Sequence, residues 1–201
     1  MNRPNCVKIE SKEYKINTDF RYAIECVKIA ENQNINDIER ALAIIYTLFG
    51  EEGINTPEHY EKLLEMAKKY LLCGEEYHDE NKKPDMDFIQ DENIIASSFK
   101  YDYSYNPYAE EYLHWYEFHN DLMNLSNSEF GTCCALSRLR NFRNLDPNEI
   151  KDEKKRNEII QEQKRVAVKK NVQHKVREFT DEEIRNMEEF KRQFGKEWYY
   201  E

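Results

Sequence analysis

Two Glu-x-x-His units, Glu75 to His78 and Glu111 to His114, are the residues whose types and spacing come nearest to chemistry. On facing helices of a bundle such units supply half of a di-iron carboxylate site, which also needs two further inward glutamates. The set is incomplete here, because His78 falls beyond Gly74, a helix-stop residue, in a polar stretch that reads as a loop. Solvated carboxylates and a packed His114 are the stronger reading. Cys133 and Cys134 with His119 hold the groups of a thiol nucleophile and its base, yet no spacing brings them together, and small buried residues on a helix account for both thiols. There is no Gly-x-x-x-x-Gly-Lys, Gly-x-Gly-x-x-Gly or Gly-x-Ser-x-Gly, and five glycines leave little room for a phosphate-cradling loop. The expectation is a protein that is not an enzyme, with no catalytic, metal or cofactor residues.

What remains is the chemistry of binding. Residues 151–177 carry ten Lys or Arg against four acids, a local charge of +6 that could neutralise phosphates. Residues 178–201 sum to −4 and residues 1–145 to −10, and an acidic body repels a polyanion, so nucleic acid is the weaker partner. A denser signal is aromatic: Tyr101, Tyr103, Tyr105, Tyr108, Tyr112, Trp115, Tyr116 and Phe118 place eight rings in eighteen residues. Tyr and Trp join an apolar ring to a polar tip and are enriched in interface cores, although Trp115 and Phe118 suit the anchor of a core equally well. A second stretch starts at the capping-box pattern Thr180 to Glu183 and sets Ile184, Met187, Phe190, Phe194 and Trp198 at helical spacing, an apolar face that needs a partner. Tyr112, Trp115, Tyr116, Phe190, Phe194 and Trp198 are therefore the candidate protein contacts.

The elements that must carry these residues are helices. In 201 residues, five Gly and five Pro are too few for a turn-rich sandwich or barrel, and 26 aromatic residues suffice for a core. Five scattered cysteines without a Cys-x-x-Cys pair read as reduced, buried thiols. Neither a signal-peptide pattern nor an apolar run of membrane-spanning length is present, so the expected location is the cytoplasm, with no membrane partner. Period-two patterning at residues 5–17 suggests a small hairpin. Helices are then expected from Asp19, from Asn36 or Asp37 until Gly50, from Thr56-Pro57 to Leu71, from Asp91, from Ala109 to Leu125, and through Phe130, Cys133, Cys134, Leu136 and Leu139. The predicted fold is all-α: a compact bundle of six helices at residues 1–145 with an N-terminal hairpin, and a charge-segregated helical tail at residues 146–201.

Several of these segments, in order, resemble one family. They are Ile16-Asn17-Thr18-Asp19-Phe20-Arg21, Ile38-Glu39-Arg40-Ala41-Leu42 leading to Leu48-Phe49-Gly50, Cys73-Gly74, and Asp87-Phe88 with Gln90-Asp91. The series continues with Ile94-Ile95-Ala96-Ser97-Ser98-Phe99, Leu113-His114-Trp115-Tyr116-Glu117-Phe118 and Ile150-Lys151-Asp152. The sequence is similar to the bacteriophage gene-product-fifteen family of Gram-positive siphophages, whose usual Trp is Tyr116 here. The resemblance implies a non-enzymatic tail-assembly chaperone without cofactors, encoded between the tail-tube and tape-measure genes. It would shield the tape-measure protein and help recruit tail-tube subunits in the host cytoplasm, self-associate in some arrangement, and be absent from the mature virion. The alternatives are a structural or adaptor component kept in the particle and a nucleic-acid-binding regulator using residues 151–177.

Overall fold

A computed structural model of the chain describes residues 3–74, 84–126 and 133–169, together with Arg185. The fold is mostly helical with a two-stranded N-terminal hairpin, as the composition and periodicity predict. The chain forms two compact units divided after Gly74.

In the first unit, β1 (Cys6–Ile9) pairs antiparallel with β2 (Lys12–Lys15), with Ile9 opposite Lys12 and Cys6 opposite Lys15. The two-residue loop needs a left-handed residue, and Glu10 supplies it with φ 55°. Three helices follow: α1 (Phe20–Glu31), α2 (Asp37–Ile54) and α3 (Tyr60–Leu71). Asp19 caps α1 by accepting the Arg21 N–H, and α2 opens with a reciprocal capping box between Asn36 and Glu39. Thr56 and Pro57 open a short 3-10 turn, Pro57–His59, that leads directly into α3. The core is Tyr14, Phe20, Ala23, Cys26, Ile29, Ile45, Leu48, Leu63 and Ala67. Burial pushes the Cys26 thiol up, as expected of a structural cysteine.

The expected stop at Gly50 is a bend instead. Gly50 takes φ 64°, ψ −156°, and the chain then makes one more helical turn to Ile54. This conformation is open essentially to glycine alone, and it removes the N–H groups of residues 51 and 52 from the carbonyls of Thr47 and Leu48. Asn17 replaces them, donating from its main chain to the Leu48 carbonyl and from Nδ2 to the Thr47 carbonyl, both at 2.8 Å. The hairpin is tied down as well. Tyr14, fully buried, meets His59 Nδ1 through its hydroxyl at 2.7 Å, and Glu10 accepts from Lys62 at 2.6 Å, a bond that holds the Glu10 carboxyl below its usual range.

The second unit holds α4 (Glu92–Tyr103), α5 (Trp115–Met123), α6 (Ala135–Asn144) and α7 (Glu153–Val166). The helix expected from Ala109 begins only at Trp115. Pro107–Ala109 forms a 3-10 turn capped by Asn106, the chain then extends, and His114 caps α5 by accepting the Tyr116 N–H on Nδ1 at 3.0 Å. The next helix begins at Ala135, where Cys134 is the cap and its Sγ accepts the Ser137 N–H. Phe130 lies outside the described residues.

Gly50→Ala and Asn17→Ala act on one feature of α2. Each is expected to lower stability by about 1–3 kcal/mol, and the double variant by less than the sum, as shared partners require. Urea unfolding followed by circular dichroism checks this, and additive losses would contradict the shared origin.

Candidate interaction surface

The aromatic run from Tyr101 to Phe118 is divided by the fold. Phe118 lies parallel to Phe99 at 5.3 Å between centroids and to Trp115 at 5.9 Å, while Phe88 meets Trp115 edge-on at 6.2 Å. Trp115 retains only 3% exposure in this stack. Tyr108 packs edge-on against Phe118, and Tyr103 and Tyr105 close on Phe99. The hydroxyls of both reach Asp121: Tyr103 donates to its carbonyl at 2.9 Å and Tyr105 to its carboxylate at 2.7 Å. Burial and then the Asp121 carboxylate raise the Tyr105 phenol, since ionising it would set two negative charges together.

Of the candidate contacts, Tyr112 is exposed (56%), Tyr116 is half-buried with its ring edge-on to His114, and Trp115 is in the core. Phe190, Phe194 and Trp198 lie outside the described residues. Two further exposed apolar side chains of the second unit were not among the candidate contacts: Tyr101 (59%) of the aromatic run, on α4, and Met123 (57%) at the end of α5. The phase of α4 carries the signal for Tyr101, because it lies about 200° round the helix from buried Phe99.

The residues for possible chemistry are used structurally. His114 is buried with Nδ1 engaged as a cap, Glu111 is exposed, and the His119 ring rests 5.5 Å from that of Trp115. His78 and Glu75 lie outside the described residues. Among the described residues no three His, Cys, Asp or Glu side chains converge as metal ligands.

A second assembly was not visible in the sequence. Asp91 and Arg143 form a bidentate ion pair, Nη1 to Oδ2 at 2.6 Å and Nη2 to Oδ1 at 2.8 Å, with side-chain exposures of 2% and 6% respectively. Arg143 also donates to the carbonyls of Asp85 (2.9 Å) and Val166 (2.7 Å). Asp91 accepts the Asp87 N–H, and the Asp87 carboxylate accepts the N–H of Ile89, so residues 85–91 form a closed turn. Ser98 binds the Leu136 N–H at 2.9 Å and thereby holds the start of α6, while Asp102 takes both the N–H and the hydroxyl of Ser126. Asp87, Asp91 and Ser98, which make three of these contacts, lie in segments that carry the family resemblance, Asp87-Phe88 with Gln90-Asp91 and Ile94 to Phe99.

Together these features define a mostly helical protein whose stacked aromatic core and side-chain-to-main-chain clasps organise its second unit. The chain belongs to the family of bacteriophage Gp15 proteins, whose family model matches residues 2–168. Membership marks it as a phage structural or assembly-related protein. No curated protein and no solved structure matches it significantly. Among the described residues no helix is long and apolar enough to cross a membrane.

Removing one partner of a buried pair leaves the other charge uncompensated, so Arg143→Met is expected to cost about 3–5 kcal/mol, while Asp91→Asn with Arg143→Met recovers part of that loss. Thermal and urea unfolding of the single and double variants check this. Tyr105 behaves oppositely to a carboxylate in its pH dependence. Its folded pKa is raised, so its contribution is complete below the ordinary phenol value of 10.0 and declines as pH rises above it. Tyr105→Phe is expected to flatten the loss of stability as pH rises above about 10, and an unchanged alkaline slope would refute the assignment.

Proposed function

We propose that the protein is a non-enzymatic tail-assembly chaperone that shields the tape-measure protein and helps recruit tail-tube subunits before the tube polymerises. The observation that carries this reading is the family match over residues 2–168. A tape-measure protein is a long helical chain, and apolar stripes on such a chain aggregate until the tube encloses them. A chaperone covers them reversibly, through many weak contacts along one client. Exposed Tyr101, Tyr112 and Met123 supply surface of the right chemistry on the second unit, and Phe190, Phe194 and Trp198 supply it at helical spacing in the tail. The excess of acidic residues, a net −10, helps keep the loaded complex soluble in the host cytoplasm.

The protein, tagged and recovered from cells expressing the tail genes, is expected to bring the tape-measure and tail-tube proteins with it, as identified by mass spectrometry, and to be missing from purified particles. Tyr112→Ala, and Ala at Phe190, Phe194 and Trp198 together, should each weaken recovery of the client without loss of helicity. Its presence in the particles instead would make it a retained structural component. Recovery of nucleic acid alone would transfer the role to residues 151–177.

A further inference from the structure

Gln90 uses its side-chain amide as one residue of a β-strand uses its main chain. Nε2 donates to the Ala167 carbonyl at 3.0 Å, and Oε1 accepts the Lys169 N–H at 3.1 Å. A strand residue engages its neighbour in the same way, through the carbonyl of one residue and the N–H two places on. Arg143 extends the grip with the bond from Nε to the Val166 carbonyl, and Asp91 keeps its guanidinium still by taking both terminal nitrogens. All three bonds to residues 166–169 end on main-chain atoms, while Ala167 and Lys169 are exposed. Val166 ends α7 and is half-buried, as is Val168, while Ala167 is extended at φ −54°, ψ 148°, so the polar part of the grip reads the main chain where it leaves the helix.

The helix that precedes this strap is lightly held. None of the 14 residues of α7 is buried, and its ties to α6 include Gln163 Nε2 donating to the carbonyls of Phe142 and Leu145. A helix of that length is marginal on its own, and segments held by few apolar contacts open at the low end of a protein's stability range.

We propose that Gln90 and Arg143 form a receptor for extended main chain, with residues 166–169 as its resident and releasable ligand. Release takes α7 and the strap off the second unit together, while α4, α5 and α6 stay folded. The family match ends at residue 168, so Gln90, Arg143 and the strap as far as Val168 fall in the part of the chain that the family model covers, and Lys169 lies one residue beyond it. The receptor stands independently of the chaperone reading.

Hydrogen exchange measured by mass spectrometry on the full chain tests it. Gln90→Ala removes the amide, Lys169→Pro removes the strap N–H, and Lys169→Ala keeps that N–H while removing the side chain. The first two are expected to speed exchange across α7 by about tenfold, the loss of one or two net hydrogen bonds, with α4 and α5 unchanged. Lys169→Ala should behave as the wild type. Equal behaviour of Lys169→Pro and Lys169→Ala would overturn main-chain recognition. A parallel rise in α4 and α5 would overturn release, because the strap would then belong to the cooperative core. Neither result bears on client recovery, so failure here and failure of the assembly role are distinguishable.

Discussion

Taking Asp91 and Arg143 out of water costs several kcal/mol per ion, and the pair is tolerable only because the hydrogen-bonding groups of both are used. Arg143 spends its donors on the Asp91 carboxylate and on the carbonyls of Asp85 and Val166. Those partners belong to the turn before α4 and the end of α7, and the arginine itself to α6. The pair itself joins two segments distant in sequence and sets where the turn at residues 85–91 and α6 must lie, while its remaining Nε donor reaches the end of α7. The aromatic stack of Phe99, Phe118 and Trp115 contributes apolar burial to the same unit but has no comparable directionality.

The same constraint governs the first unit in neutral form. A carbonyl whose helical donor has been turned away must find another donor, and Asn17 is that donor for two carbonyls at the bend of α2. Glycine at position 50 and asparagine at position 17 are thus one device. Both units use polar side chains to end or bend helices where the chain needs to change direction, and apolar burial then fills the space between them.

For function, the division of the aromatic run matters most. Rings that read as one surface in the sequence fall into three groups: Trp115, Phe118 and Tyr108 build the interior, Tyr103 and Tyr105 fasten the end of α4 to α5 through Asp121, and Tyr101 and Tyr112 face solvent. A binding surface on this unit is accordingly smaller and more dispersed than the density of aromatic residues suggests.

Hairpin, helix count and most helix starts were legible in the sequence because they follow from local physics: period-two patterning over residues 5–17, the Asn36 and Glu39 box, Thr56 before Pro57, and apolar faces at helical spacing. The family was legible too, from the order of short segments. Helix ends were less so, since Gly50 can terminate a helix or bend it, and His114 and Cys134 are uncommon caps. Tertiary structure alone decided which rings are buried, because burial depends on what a distant segment brings alongside. It also alone decided that Arg143, which in sequence is one more basic residue beside Arg138 and Arg140, is buried against an aspartate 52 positions away. No local period or cap encodes such a pair; it exists only where the fold excludes water and supplies the matching carboxylate.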